Sequence, residues 1–250
     1  MNGYQQFADQ VQMLVGKVAA EEDAKIRRAA IAMADEVARD KLIHVIGTGG
    51  HSFIGAEEAF MRAGGLACID AILDFGFSLQ HGARLSSAVE RTPGYATGVL
   101  GAWGVPTGSL MLIVNAYGIN AATIDTACYC RDHGITSIAL TSVELQRALP
   151  PDHAARHPSR LNLCDLANIV IDTKVPMGDV LLALPGVPQK VGAVSTIVNA
   201  LVVQLLVIET ATELTRRGIV PPIWKSGNSP GGDEANRELL EKYGPRVRMS

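Results

Sequence analysis

The segment 42–52 constrains this chain more than any other stretch. It reads Leu-Ile-His-Val-Ile-Gly-Thr-Gly-Gly-His-Ser. An apolar run breaks at Gly47 into a glycine-rich turn, and residues 54–61 then have helical character. Strand, glycine turn and helix in that order aim backbone N–H groups at one point. The helix N-terminus adds partial positive charge there, so the point suits an anion. Glu57 and Glu58 follow within two turns of that helix. The segment thus sets an anion cradle beside a carboxylate.

Of two familiar glycine motifs one fits only in part, with Asp70 at a tolerable distance for a ribose contact, and the other fails. A dinucleotide fingerprint needs a third glycine at position 52, where this chain has Ser52. A phosphate-binding loop of the Walker type fails because no Gly-Lys-Ser/Thr follows. As an anion cradle, Gly47, Gly49 and Gly50 offer backbone donors, and Thr48, His51 and Ser52 add side-chain donors. Ser52 also suits the N-cap of the following helix.

Apolar strands at 42–47, 66–73, 109–115, 135–141 and 168–172 alternate with helices at 54–61, 121–133, 192–217 and 234–243. That pattern predicts an α/β fold: a three-layer, doubly wound parallel sheet covered on both faces. Ligands in such sheets sit beyond the carboxyl ends of the strands, where the order reverses. The segments to test are therefore 47–52, 115–120 and 141–142. Residues 1–40 form an N-terminal helical segment, one helix or two, with Phe7, Val11, Leu14 and Val18, then Ile26, Ala30, Met33 and Val37 at helical spacing. It packs on the domain or on a dimer partner, and residues 41–250 form the domain with its tail. The glycine-rich insert 74–108 reads as loops around one or two short helices, serving as lid, site loop or packing.

Composition narrows the partners. A net charge of −3 leaves no basic surplus for nucleic acid. Four cysteines without a C-x-x-C pair read as free thiols of a reducing cytoplasm. Residues 1–12 are polar and hold Asp9, unlike a signal peptide. The apolar stretch 191–208 is interrupted by Ser195, Thr196, Asn199 and Gln204, and reads as a buried helix or subunit interface rather than a membrane span. On that helix Asn199, Gln204 and Glu209 bond across an interface or cap buried backbone. No metal and no cofactor are expected. His153 and His157 stand four apart beside Asp152, but in a proline-rich loop that gives no helix to hold ligand geometry. That loop reads as solvated, with His157 folding over the site.

Several segments together resemble the sugar isomerase (SIS) domain, in particular stand-alone bacterial SIS proteins. They are 45–52 (Val-Ile-Gly-Thr-Gly-Gly-His-Ser), 57–66 (Glu-Glu-Ala-Phe-Met-Arg-Ala-Gly-Gly-Leu), 157–161 (His-Pro-Ser-Arg-Leu), Gly178-Asp179, 194–197 (Val-Ser-Thr-Ile) and 226–236 (Ser-Gly-Asn-Ser-Pro-Gly-Gly-Asp-Glu-Ala-Asn). The resemblance implies a five-stranded sheet of flavodoxin-like order and a homodimer that completes its own sites. It also implies phosphosugar binding by loops rich in serine and threonine. After the third strand the family usually has a turn of Ser-Asn-Ser-Gly-Arg-Asn type. This chain has Asn115-Ala116-Tyr117-Gly118-Ile119-Asn120. Two hydroxyls and a cation are absent, so the grip on a phosphate monoester is expected to be weaker. A free sugar or sugar acid is then an alternative. Asn115, Tyr117, Gly118 and Asn120 remain as turn and donor groups.

On this reading the chain is a sugar or phosphosugar isomerase that moves a proton through an enediol. Glu58 is the candidate base, its pKa raised by burial, and Glu57 points about a quarter-turn away. His51 protonates or polarises the carbonyl oxygen, or acts as a neutral donor. Ser195 and Thr196 cap the long helix or meet an anion at its start. The resemblance places the tail turn with Lys225, Asn228 and Asp233 near a neighbouring site. A non-catalytic phosphosugar sensor, or an amino-sugar ether hydrolase or deaminase, is possible on the same residues.

Overall fold

A computed structural model describes residues 2–249. The chain begins with α1 (Gly3–Glu21) and α2 (Asp23–Ala38). It continues through β1 (Ile43–Gly47), α3 (Gly50–Ala59), β2 (Ile69–Ile72), α4 (Ala83–Glu90), α5 (Tyr95–Trp103), β3 (Leu110–Val114), α6 (Ala121–Asp132) and β4 (Thr136–Thr141). Short helices α7 (Val143–Ala148) and α8 (Leu163–Leu166) precede β5 (Ile169–Asp172). A hairpin of β6 (Val180–Leu182) and β7 (Val191–Ala193), the long α9 (Ser195–Arg216) and α10 (Gly232–Tyr243) complete it.

Strands β1 to β5 form one parallel sheet of order β2-β1-β3-β4-β5, the expected flavodoxin-like order. Central β1 and β3 are buried along their whole length, which is why they read as unbroken apolar runs. On one face Val45 and Leu112 pack with Met33 of α2, Ala56 of α3 and Val202 and Leu206 of α9. On the other, Ile46, Met111 and Ile113 pack with Leu100 of α5 and Ala127 of α6. Helix α9 is long and apolar enough to cross a bilayer, but here it packs on α2 and α3 through Val198, Val202, Leu206 and Leu214.

The N-terminal segment divides into two helices at Glu22. This buried carboxylate accepts from Lys25 Nζ at 2.8 Å, Lys174 Nζ at 3.0 Å and the Asp172 amide at 3.1 Å, which ties the junction to the end of β5. Two local expectations change. Helix α3 begins at Gly50 rather than at 54, so Ser52 lies inside it and is not its N-cap. The Phe53 amide reaches Gly49 O at 2.7 Å and winds the glycines into the first turn. Residues 191–193 form β7 rather than the start of the long helix. Gly192, at φ +81°, leaves room there for the Phe7 ring of α1.

Candidate functional site

The strand order reverses between β1 and β3, so the turns that follow them lie side by side. Helix α3 leaves toward α9 and α6 leaves toward α5, opening a crevice between them. Asn115 joins its two walls. Its Nδ2 donates to Thr48 O at 2.8 Å, and its Oδ1 accepts the Gly118 amide at 2.8 Å. Asn115→Ala leaves these groups without partners in a buried position. Denaturant unfolding is expected to show a loss of about 2–3 kcal/mol, and ligand binding should weaken with it.

The crevice encloses about 320 Å3. The glycine turn contributes Gly49, Gly50, His51 and Ser52, and the second turn contributes Asn115, Tyr117 and Asn120. The amides of Gly50, His51 and Ser52 belong to the first turn of α3 and have no acceptor inside the helix. His51 is exposed. Burial and the nearby Asp179 carboxylate push the Tyr117 phenol up, so it stays a neutral donor.

The third wall comes from the insert, which supplies Leu79, Ser86, Ser87 and Glu90. Its 3-10 turn at Leu79–His81 crosses Gly50 so closely that a Cβ there would lie 2.3 Å from Leu79 Cδ2. Gly49 has φ +143°, and a Cβ on it would lie 2.3 Å from Glu90 Oε2. The Glu90 carboxyl is half-buried against the start of α3, and no described residue bonds to it. Burial pushes it above its ordinary value, with Arg91 opposing more weakly. A half-buried, unbonded carboxyl in a cleft has the properties of a general acid–base group.

The sequence reading missed Glu90, Ser86 and Ser87. Their three- and four-residue spacing on α4 was the available signal, since it puts them on one helical face.

Glu58 lies elsewhere. It accepts from Gln204 Nε2 of α9 at 2.8 Å and pairs with Arg62 Nε at 3.0 Å, and it does not line the crevice. Gln204 and Glu209, which pairs with Arg27 at 3.6 Å, both find partners within the chain. Thr48 is fully buried and its hydroxyl is bonded to that of Thr123 at 2.7 Å, so it fixes α6 rather than facing a guest. Gly47 and Gly118 shape the two turns from behind the crevice surface.

The expectation of a guest anion at the start of α9 is corrected, because the chain supplies its own. Asp179 accepts the Ser195 amide at 2.7 Å and the Ser195 hydroxyl at 2.6 Å, and thereby neutralises the helix end. Ser195 still borders the crevice, whereas Thr196 does not. His157 does not fold over the site. Its Nε2 lies 3.3 Å from Asp125 Oδ1, its Nδ1 lies 2.7 Å from Ser159 Oγ, and its amide bonds Ile119 O. It buttresses the second turn from outside. Asn228 sits in the tail turn, where its amide bonds Ser226 Oγ, away from this crevice. Among the described residues no cluster of three or more metal-ligating side chains occurs.

The sheet order defines a doubly wound α/β protein with a crevice at its switch point. The SIS domain family matches residues 6–142. A UPF0309 protein of Brucella anthropi is 38% identical over 207 residues, covering 83% of this chain and 82% of that one. A UPF0309 protein of Caldanaerobacter subterraneus subsp. tengcongensis is 33% identical over 245 residues, 97% and 98% of the two chains. The solved phosphoheptose isomerase of Neisseria gonorrhoeae superposes with a TM-score of 0.53 at 15% identity, over 84% of this chain and 96% of that one. That last likeness shows the fold. The chain belongs to the SIS domain family.

Proposed function

We propose that the chain is a sugar or sugar phosphate isomerase working in the crevice between the glycine turn and the Asn115 turn. One observation carries this reading: an unbonded, half-buried Glu90 carboxyl, raised in pKa by burial, lies against the amide-lined glycine turn. In the proposed reaction Glu90 takes the proton from the carbon next to the substrate carbonyl. His51 gives a proton to the carbonyl oxygen, and an enediol forms. Glu90 then returns its proton to the neighbouring carbon, and His51 recovers one from the adjacent hydroxyl. Glu90 thereby takes the role that sequence spacing suggested for Glu58. The free amides of Gly50, His51 and Ser52 hold a phosphate or hydroxyl oxygen, and Asn120 and Ser87 hold further hydroxyls.

Among the described residues no Lys or Arg lines the crevice. Phosphate recognition therefore rests on neutral donors and the start of α3, and the substrate range includes free sugars and sugar acids. The name of the Neisseria neighbour adds heptose phosphates to the panel. We further place the protein in the cytoplasm as a homodimer. In support, its four cysteines are unpaired, and Tyr4 and Met13 of α1 stand 74% and 75% exposed, apolar surface suited to a second copy.

The test is incubation in D2O with pentoses, hexoses and heptoses, each free and as a monophosphate, followed by NMR. The expected result is deuterium at the carbon next to the carbonyl, with ketose formed from aldose. Saturable binding without exchange would favour a sensor. Release of lactate or ammonia from amino-sugar derivatives would favour the hydrolase or deaminase.

A further inference from the structure

A second cavity, of about 330 Å3, lies at the opposite end of the sheet, near the amino ends of β1, β2 and β3. Its lining includes His44, Asp70, Trp103, Ser109, Arg246 and Arg248. His44 is a polar side chain inside the buried central strand β1, and the register sets it directly beside Asp70 of β2. The two residues are 5% and 3% exposed, and His44 Nδ1 lies 3.0 Å from Asp70 Oδ2. Trp103 Nε1 donates to the same oxygen at 2.9 Å, and the Arg248 amide donates to Oδ1 at 3.2 Å.

Burial opposes the charge on Asp70, but hydrogen bonds from His44 and Trp103 outweigh it and hold the carboxyl below its ordinary value. An ionised Asp70 only accepts, so His44 Nδ1 carries the hydrogen. Nε2 is then the ring nitrogen left for a ligand. No described residue bonds Nε2.

A buried ion pair of this kind is weak evidence of a purely stabilising role. Around it stand three cations. The Arg248 guanidinium lies 5.3 Å from the Trp103 ring centroid, Arg246 Nη1 is 3.2 Å from Asp40, and Lys41 Nζ is 3.2 Å from Gly108 O. Asp40 and Asp70 are the carboxylates of the lining, and Asp70 already accepts from three internal donors.

We propose that this cavity is a second ligand site, separate from the glycine-turn crevice, for a small hydroxylated anion. Its carboxylate or phosphate sits against Arg246 and Arg248, a hydroxyl hydrogen-bonds His44 Nε2, and its carbon skeleton lies on Trp103. The inference stands independently of the isomerase reading.

The chain has two tryptophans, so Trp224→Phe leaves Trp103 as the sole indole reporter. That variant is titrated with glycerol 3-phosphate, glycerate, inorganic phosphate and glycerol while indole emission is followed. The expected result is a saturable change with glycerol 3-phosphate or glycerate, and whichever binds more tightly identifies the anionic group. Inorganic phosphate should bind about tenfold more weakly, and glycerol should give no change. Arg248→Gln and Arg246→Gln, both at exposed positions, should each weaken binding about tenfold. His51→Ala in the other crevice should leave the titration unchanged. No saturable change with either hydroxylated anion overturns the proposal, as does a titration that both arginine variants leave intact. Inorganic phosphate binding as tightly as glycerol 3-phosphate overturns the role given to His44.

Discussion

Glu90→Gln is expected to lower turnover about 10²- to 10⁴-fold while leaving sugar binding intact, and to raise the melting temperature at neutral pH. The amide keeps the shape of the side chain and loses its ability to take and return a proton. The stability gain follows from the direction of the pKa shift. Burial raises the folded-state pKa of Glu90 above its unfolded value, so ionisation disfavours the folded state. Stability contributed by the protonated form is full below the unfolded carboxyl value and falls as pH rises toward the folded one. Glutamine never ionises, so its advantage is largest at neutral pH and disappears below about pH 4. Melting curves of both proteins across that range check the sign. A residue that costs stability and supplies chemistry is the common pattern of an active site.

The Glu58→Gln variant is the matched control. Glu58 is tied to Gln204 and Arg62, on the side of α3 that meets α9, and the expected result is near-normal turnover. Its stability change is expected to stay within about 1 kcal/mol, as for a partly exposed ion pair. Loss of turnover in this variant with retention in Glu90→Gln would return the proton-transfer role to Glu58.

The second large effect is expected for Gly47→Ala. A Cβ at this position would lie 2.1 Å from Ser52 O, 2.4 Å from Ser52 C and 2.6 Å from Phe53 Cα. These are backbone atoms of the first turn of α3, which rotamer changes cannot relieve. The turn must open, and the amides of Gly50 to Ser52 lose their aim. Denaturant unfolding is expected to show a loss of about 3–5 kcal/mol, with sugar binding abolished. Gly16→Ala provides contrast. Gly16 lies in exposed α1 with nothing within 4 Å of a Cβ, and alanine there should stabilise by about 0.5–1 kcal/mol.

The sheet was readable because its strands are buried on both faces, as in β1 and β3, and so appear as uninterrupted apolar runs between helical periods. The glycine turn was readable for a related reason: a strand entering a helix through Gly47 and Gly49 leaves a local mark. Glu90 left no such mark. It reaches the glycine turn only because the insert folds back across Gly50, a contact between residues about forty apart in sequence. The start of α9 was misread for the same kind of reason. Asp179 lies sixteen residues before Ser195, and the β6–β7 hairpin between them brings its carboxylate to the helix end. The apolar residues of β7 run on into α9, which hid the hairpin. Thr48 looked available because a hydroxyl in a glycine turn resembles a ligand donor. Its partner Thr123 lies seventy-five residues away.

The most direct measurement is the position of a bound sugar in a crystal structure of the Glu90→Gln variant, grown with the best binder from the exchange panel. The account predicts the carbonyl and its neighbouring carbon between the Asn115 turn and residue 90. The proton-bearing carbon should lie within about 3–3.5 Å of the residue 90 side chain, with a phosphate or terminal hydroxyl on the amides of residues 50–52. A sugar bound elsewhere while this crevice stays empty, or one seated there with residue 58 rather than residue 90 at its reacting carbons, would contradict it.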